Sequence, residues 1–266
     1  MRWKCHNSFY RMPEGACAGG IAIVIDVLRA STTMITALAH GASRVRPVRT
    51  VGEARGLAGQ PGVLLGGERG GRPIEGFDLG NSPLEYTRQR VAGHEVVITT
   101  TNGTAALHAC QDAAEILVGA VVNGSAVAAL AIHLADGGRD IHLVCAGTDG
   151  DVTEEDLLGA GAILDAAIRR GVDERQDLDG PARAAVADFR AVVENDGDPA
   201  VALACVFATA IGGRNLIAIG MEGDLSPAAQ IDSLPVVPRL DQATGWLVGD
   251  RSAEGLLHSA RGRKER

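Results

Sequence analysis

The sequence predicts an α/β protein: a doubly wound sheet with helices on both faces, and a helical C-terminal part. Three observations carry this. Apolar runs of strand length alternate with helix-length stretches from residue 20 to residue 171. The first run, residues 20–28 (GIAIVIDVL), is almost continuously apolar, as strands of a parallel sheet covered on both faces are. From Asp179 onward the alternation gives way to Ala-rich helices opened by Pro181 and by Asp198-Pro199.

In order along the chain, strand 20–28 leads to a helix capped by Ser31 or Thr32 and running to His40, with Gly41 just past its end. Residues 43–48 read as a second strand, 50–58 as a short helix and 63–66 as a third strand. That strand opens a loop, 64–86, which is the least ordinary stretch of the chain. Gly66, Gly67, Gly70, Gly71, Gly76 and Gly80 surround Glu68, Arg69, Arg72, Glu75, Asp78 and Asn81. Glycine bends tightly and lets backbone N–H groups approach a ligand, so the loop reads as functional. It ends at Asn81-Ser82-Pro83-Leu84-Glu85, which has the form of a capping box with a first-turn proline and predicts a helix over 82–90. Strand 95–100 and helix 104–113 follow, then strand 115–122 and helix 125–135 with Asn123 as its cap. Strand 140–146 and a helix capped by Thr153 and running to Arg170 complete the alternating region. Helices are expected at 181–194, 198–211 and 214–219, with a turn at 195–198. A late strand is expected at 234–240, where Pro238 suggests a sheet edge. The domain reading is an N-terminal extension (1–18), one α/β domain (19–241) and a C-terminal tail (242–266).

At 266 residues with 46% hydrophobic content the chain can bury a full core, and with 3% aromatics that core must be built from Ala, Val, Leu and Ile. A net charge of −8 argues against a general surface for nucleic acid or anionic membrane, although residues 261–266 are basic. Cys5, Cys17, Cys110, Cys145 and Cys205 are odd in number and form no C-x-x-C pair, which fits small thiols in a reduced cytoplasmic protein. Residues 1–15 lack a secretory pattern, and the longest apolar run, 200–211, is too short to span a bilayer. On general grounds a homodimer is expected.

Ligands of open α/β sheets bind beyond the carboxyl ends of the strands. That rule gathers Asp26 and Arg29, Glu68 and Arg69, Thr101, Asn102 and Thr104, and Gly147 and Asp149 with Asp156, from four strand ends. A carboxylate inside an apolar strand, as at Asp26, must be paired, hydrogen-bonded or metal-bound. The acids suit a hard dication such as Mg2+, with Asp26, Glu68 and Asp156 as candidate ligands. Arg29, Arg69 and Arg72 suit phosphate or carboxylate. Helix starts at 31–33 and 102–104 offer N–H groups to an anion. There is no G-x-x-x-x-G-K-[ST] loop and no G-x-S-x-G elbow. Cys145 sits at a strand end with no arginine close behind it, so it reads as core rather than nucleophile, and the histidines lack metal spacing.

Taken together, Asp26-Val27-Leu28-Arg29-Ala30-Ser31-Thr32-Thr33, Gly66-Gly67-Glu68-Arg69, Gly76-Phe77-Asp78-Leu79-Gly80-Asn81-Ser82-Pro83, Thr99-Thr100-Thr101-Asn102-Gly103-Thr104 and Cys145-Ala146-Gly147 resemble the 2-phosphosulfolactate phosphatases. Glu155-Asp156 with Ala160-Gly161, Arg214-Asn215-Leu216 with Gly220, and Val236-Val237-Pro238 extend the likeness, so it covers residues 21–238 in order. Ser31 stands where the family often has threonine. The resemblance implies a three-layer α/β/α fold with a largely parallel, mixed sheet. It also implies a Mg2+-dependent phosphatase that converts (2R)-phospho-3-sulfolactate to (R)-3-sulfolactate, a step towards coenzyme M.

On this reading Asp26 and Glu68 hold or orient the metal, with Asp156 as a third ligand. Arg29 and Arg69 bind the phosphate and acid groups. Ser31, Thr32, Asn81, Thr101, Asn102, Gly103 and Thr104 complete the substrate site, and Asp78 orients water or holds the central loop shut. Attack by water and a phospho-enzyme route both stay open, since no nucleophile motif is present. The rival expectations are a phosphatase for another phospho-2-hydroxy acid and a non-catalytic binder of an anionic metabolite.

Overall fold

A computed structural model describes residues 1–136, 138–194, 197–252 and 255–256. Its strands are β1 (Trp3–His6), β2 (Ile21–Ile25), β3 (Arg44–Pro47), β4 (Val63–Arg69), β5 (Arg72–Pro73), β6 (Glu95–Thr99), β7 (Glu115–Gly119), β8 (Ile141–Cys145), β9 (Val237–Asp241) and β10 (Trp246–Asp250). They form one sheet in the order β1-β8-β2-β7-β9-β10-β3-β6-β4-β5. All five residues of β2 and all five of β8 are buried, which accounts for their unbroken apolar character.

The sheet is mixed and mostly parallel. β1, β8, β2 and β7 run parallel in one block, and β3, β6 and β4 in another. The β9–β10 hairpin joins the blocks, antiparallel at both seams. It meets β7 through one residue pair (Leu117 with Arg239) and β3 through one (Leu247 with Val45).

The helices are α1 (Ala30–Ala39), α2 (Val51–Arg55), α3 (Arg88–Val91), α4 (Gly103–Ala109), α5 (Gly124–Leu134), α6 (Glu154–Ile168), α7 (Gly180–Val193), α8 (Pro199–Thr209), α9 (Ile211–Ala218) and α10 (Leu225–Ala228). α5, α6, α7 and α8 pack each on the next, while α1 meets α4 and strands β3, β7, β9 and β10. The result is the expected three-layer α/β/α arrangement with a helical C-terminal part. Small residues permit the close packing: at Gly161 on α6 an added Cβ would lie 2.2 Å from the Ala185 carbonyl of α7. No single helix among the described residues is long and apolar enough to cross a membrane. α8 and α9 together have the length and composition, but they bend by 75° at the break.

Several local expectations change. Pro238 lies inside the sheet, not at an edge. Its strand touches β7 at one pair only, so a residue without an N–H interrupts no continuous ladder there. Residues 1–18 and 242–266 each place a strand in the sheet, β1 beside β8 and β10 beside β9 and β3. β1 is four residues of mixed polarity, too short to leave a strand pattern. The helix expected over 82–90 is a 3-10 turn at Pro83–Glu85 followed by α3, and Ser82 caps nothing. Neither Ser31 nor Thr32 caps α1; instead Asp26 Oδ1 accepts the Ala30 N–H at 3.1 Å. Asn123 also does not cap α5 by its side chain. Its Oδ1 accepts from the Ala120 N–H, and its Nδ2 donates to the Val118 and Val236 carbonyls. Part of the 195–198 turn and the basic 261–266 segment lie outside the described residues.

Candidate active site

The turn after β2 is tied by its own hydroxyls. The Asp26 N–H donates to Ser31 Oγ at 2.9 Å, Thr32 Oγ1 donates to the Val27 carbonyl at 2.8 Å, and Thr33 Oγ1 to the Asn81 carbonyl at 2.8 Å. All three hydroxyls are buried. The Leu28–Arg29 peptide in this turn is cis. Arg29 leaves the turn with its guanidinium between Asp224 Oδ2 (2.6 Å) and the Gly71 carbonyl (2.7 Å). Asp224 also accepts from Ser82 Oγ at 2.5 Å.

The glycine-rich loop turns back on β6. Glu68, at the end of β4, accepts the Thr101 N–H at 2.6 Å, the Gly71 N–H at 2.8 Å and the Thr101 hydroxyl at 3.2 Å. It therefore fixes the loop to the turn before α4. Gly67 has φ 135, and an added Cβ there would lie 2.0 Å from the Thr99 carbonyl, so this crossing needs glycine. Asp78 Oδ2 accepts the Leu65 N–H at 2.8 Å, and Tyr86 donates its hydroxyl to the Gly80 carbonyl at 2.7 Å. The first bond holds the return limb of the loop against β4, and the second closes that limb on itself.

The first turn of α6 supplies two more acids. Asp156 accepts the Val27 N–H at 2.8 Å and the Gly147 N–H at 2.9 Å, so it bridges the ends of β2 and β8. Glu155 Oε1 accepts the Gly212 N–H at 3.0 Å and holds the start of α9, while its Oε2 is buried without a partner among the described residues.

Burial and mutual repulsion govern these carboxyls. Burial pushes the Asp26 carboxyl up to about 8, reinforced by nearby Asp156 and Glu68 and opposed by the Ala30 N–H and Arg29. Burial, then Asp156, pushes Glu155 up to about 8. Asp156 rises to about 6 through burial, held back by its two backbone N–H donors.

A cavity of about 310 Å3 opens between these groups. Its walls come from the ends of four strands and from α9: Asp26, Leu28 and Arg29; Glu68, Gly70 and Gly71; Thr101 and Asn102; Thr148 and Asp149; and Gly212, Asn215, Leu216 and Ile219. Asn81 completes it, with a buried Oδ1 lacking a partner among the described residues. Three acids, Asp26, Glu68 and Asp149, face one arginine on this lining, and that arginine is already paired with Asp224. Even where Asp26 keeps its proton, Glu68 and Asp149 leave the lining acidic, so it favours a cation over a free anion.

Of the residues named from sequence, Asp26, Arg29, Glu68, Asn81, Thr101, Asn102 and Asp149 line the cavity, and Gly147 does not. Gly103 stands directly behind Asp26: a Cβ there would lie 2.6 Å from Asp26 Oδ2 and 2.5 Å from the Ala30 Cβ. Ser31, Thr32 and Thr104 do not line it. Thr104 Oγ1 donates to the Thr100 carbonyl at 2.8 Å, and the Thr104 N–H goes to Thr100 Oγ1. Two of the N–H groups offered at 31–33 are likewise occupied, that of Ser31 by the Asp26 carbonyl and that of Thr33 by the Arg29 carbonyl. Arg69 turns away to the Glu68 carbonyl (2.6 Å), Thr99 Oγ1 (2.9 Å) and the Arg49 carbonyl (3.4 Å). Asp78 is exposed outside the cavity, and Arg72 is exposed on β5.

Asp26, Glu68 and Asp156 do not converge as a three-carboxylate chelate. Among the described residues, the group of three such ligand atoms that does gather lies elsewhere, at His6, Cys17 and His142. Cys145 is buried, and its thiol donates to the Asp156 carbonyl. The residues without a local sequence signal are Asp224 and Gly212. Nothing near Asp224 marks it, because its partner Arg29 is 195 positions away.

The profile of the 2-phosphosulpholactate phosphatase family matches residues 9–243. A protein of Deinococcus radiodurans is 42% identical over 222 residues, 83% of this chain and 87% of its own length. One of Thermotoga petrophila is 40% identical over 219 residues, 82% of this chain and 88% of its own. One of Symbiobacterium thermophilum is 39% identical over 229 residues, 85% and 93%. Each carries the name "Probable 2-phosphosulfolactate phosphatase". With a family match over most of its length and relatives at this identity, the chain belongs to the 2-phosphosulpholactate phosphatase family.

Proposed function

We propose that the chain is a Mg2+-dependent phosphoric monoester hydrolase that converts (2R)-phospho-3-sulfolactate to (R)-3-sulfolactate and phosphate. One observation supports the metal and the substrate together: the charge balance of the cavity. The substrate carries phosphate, carboxylate and sulfonate. The lining offers three acids against one paired arginine. A cation held among these acids would offset the charge of such an anion.

The donors present fit such an ion. Mg2+ takes oxygen ligands, usually one or two carboxylates completed by water and phosphate. Asp26 is the best placed, since its Oδ1 has one backbone donor and its Oδ2 none. Glu68 and the unpartnered Asn81 Oδ1 are the other oxygen donors on the lining. Asp156 is engaged at both oxygens by backbone N–H groups and supports from behind. When bound, the ion neutralises charge on the phosphoryl oxygens.

In the reaction, water oxygen bonds to phosphorus, the ester P–O bond breaks, and the departing 2-oxygen of sulfolactate takes up the proton that the water gives up. Arg29, immobilised by Asp224 and Gly71, orients a phosphate or acid oxygen with the N–H donors that remain. Thr101 and Asn102 supply hydrogen bonds at the facing wall. Leu28, Leu216 and Ile219 exclude water from the carbon skeleton. Glu155 is a positioning residue that holds α9, and with it this wall, through Gly212.

The deciding experiment treats purified protein with EDTA and follows phosphate release from (2R)-phospho-3-sulfolactate and from 2-phospholactate. Release should need added Mg2+. It should favour the sulfonate by ~10-fold or more in kcat/KM, the scale of one lost polar contact. An unchanged rate without metal removes the ion from the proposal. Equal use of both esters makes the protein a broader phospho-2-hydroxy acid phosphatase. Tight binding without phosphate release makes it a binding protein.

A further inference from the structure

A second group of titratable side chains meets at the amino ends of β2 and β8, opposite the edge that forms the cavity. β1 runs parallel to β8 with Trp3 beside Ile141 and His6 beside Val144, which carries His6 over His142. His6 Nε2 lies 3.1 Å from His142 Nδ1, and the rings stack with centroids 5.4 Å apart and planes 6° from parallel. Cys17 turns the chain into β2, its carbonyl accepting the Gly20 N–H at 2.9 Å. Its Sγ lies within 4.8 Å of both histidine ligand atoms. Met12 Sδ is 3.6 Å from Cys17 Sγ.

Core packing with one His–His hydrogen bond accounts for the ring pair. It does not account for the convergence of two imidazole nitrogens, a thiol and a thioether. Bonds of about 2.0–2.1 Å to nitrogen and 2.3 Å to sulfur place the ligand atoms of a tetrahedral ion roughly 3.3–3.6 Å apart. The N···N separation of 3.1 Å lies a few tenths of an ångström inside the spacing such an ion would set, and the S···S separation of 3.6 Å lies at most that far inside it, so small side-chain shifts would admit it. Gly20 makes room for the ring: a Cβ there would lie 3.0 Å from His142 Cδ2.

We propose that His6, Cys17 and His142 form a binding site for a thiophilic d10 ion, Zn2+ or Cu+, with the Met12 thioether or a water as fourth ligand. Two imidazoles, a thiolate and a thioether form a soft set that prefers such ions to Mg2+. The ion would staple residues 1–18 to the sheet at the end remote from the phosphate chemistry.

The test uses the full chain, stripped by chelator under reducing conditions and titrated with Zn2+, with Cu+ and with Co2+ as an optical probe. One ion per chain should bind, with a thiolate-to-Co2+ charge-transfer band and a higher melting temperature; excess Mg2+ should not compete. Cys17→Ser and His6→Gln should each weaken binding by at least ~10-fold, the loss that even outer-sphere partners of metal ligands produce. His6 is only partly buried, so its variant keeps the test valid if Cys17→Ser fails to fold. Cys205, the exposed thiol, serves as control, and Cys205→Ser should bind normally. No saturable uptake overturns the proposal. So does uptake that survives His6→Gln undiminished or disappears in Cys205→Ser.

Discussion

The Arg29 guanidinium lies 2.6 Å from Asp224 Oδ2, with side chains only 3% and 2% exposed. Breaking a buried pair by removing one partner leaves an uncompensated charge, at a cost of about 3–5 kcal/mol. Asp224→Ala should therefore lower the melting temperature sharply and reduce kcat/KM. Asp224→Asn keeps an acceptor for Ser82 and should be milder in both. Thermal unfolding and initial rates on the two variants check this. Equal stability of Asp224→Ala and the parent would mean that the pair does not anchor the site.

Two of the three arginines singled out by sequence should behave differently. Arg29→Lys loses the planar fork held by Asp224 and Gly71 and should lower kcat/KM by roughly 10–100-fold, or about 1.4–2.7 kcal/mol. Arg69 points away from the cavity, so Arg69→Ala should change kcat/KM by no more than about 0.5 kcal/mol, roughly twofold. A large loss in Arg69→Ala would place that guanidinium in the cavity during turnover.

Gly103 has no room for a side chain, because its Cβ would meet Ala30 Cβ at 2.5 Å and Asp26 Oδ2 at 2.6 Å. Gly103→Ala must displace the α4 start or rotate Asp26. We expect at least a ~10-fold loss of kcat with about 1–3 kcal/mol of destabilisation, the usual scale of overpacking. Full activity together with a weakened response to Mg2+ is not expected, since both depend on Asp26. Rates across a Mg2+ titration give the readout.

The buried acids set a pH dependence for the metal-free protein. In the unfolded chain their carboxyls titrate near about 4. In the folded chain Asp26 and Glu155 hold protons up to about 8, and Asp156 up to about 6. Between those limits the native state binds more protons than the unfolded one, so stability falls as pH rises. Melting in EDTA should therefore decline from pH 5 to pH 9. Saturating Mg2+ should flatten the decline, and Asp26→Asn should make it shallower without metal. A melting temperature in EDTA that rises across this range would contradict the burial of these acids.

How far the sequence could be read depends on how local each cause is. β2 and β8 were legible because burial on both faces leaves an unbroken apolar run. β1 and β10 were not: β1 is four residues of mixed polarity, β10 loses its burial after Leu247, and each is completed by pairing with a neighbouring strand. Asp26, Glu68, Thr101 and Asn102 were legible as lining residues because each lies at or just past the carboxyl end of a strand, and strand ends collect at one rim. Ser31, Thr32, Thr104 and Arg69 sit at the same rim in sequence but bond to nearby backbone or side-chain oxygens. Side-chain direction is settled by partners that spacing does not show.

By itself, then, the sequence determined the α/β class, the strand ends that form one rim and the acids that lie along it. Only the tertiary structure decided which charges face the cavity. It brought Asp224 to Arg29 and Gly212 to Glu155, turned Arg69 outward and set Asp156 behind Asp26. The physical reason is that a buried charge takes its state from whatever the fold packs against it, and for Arg29 that partner lies 195 positions away.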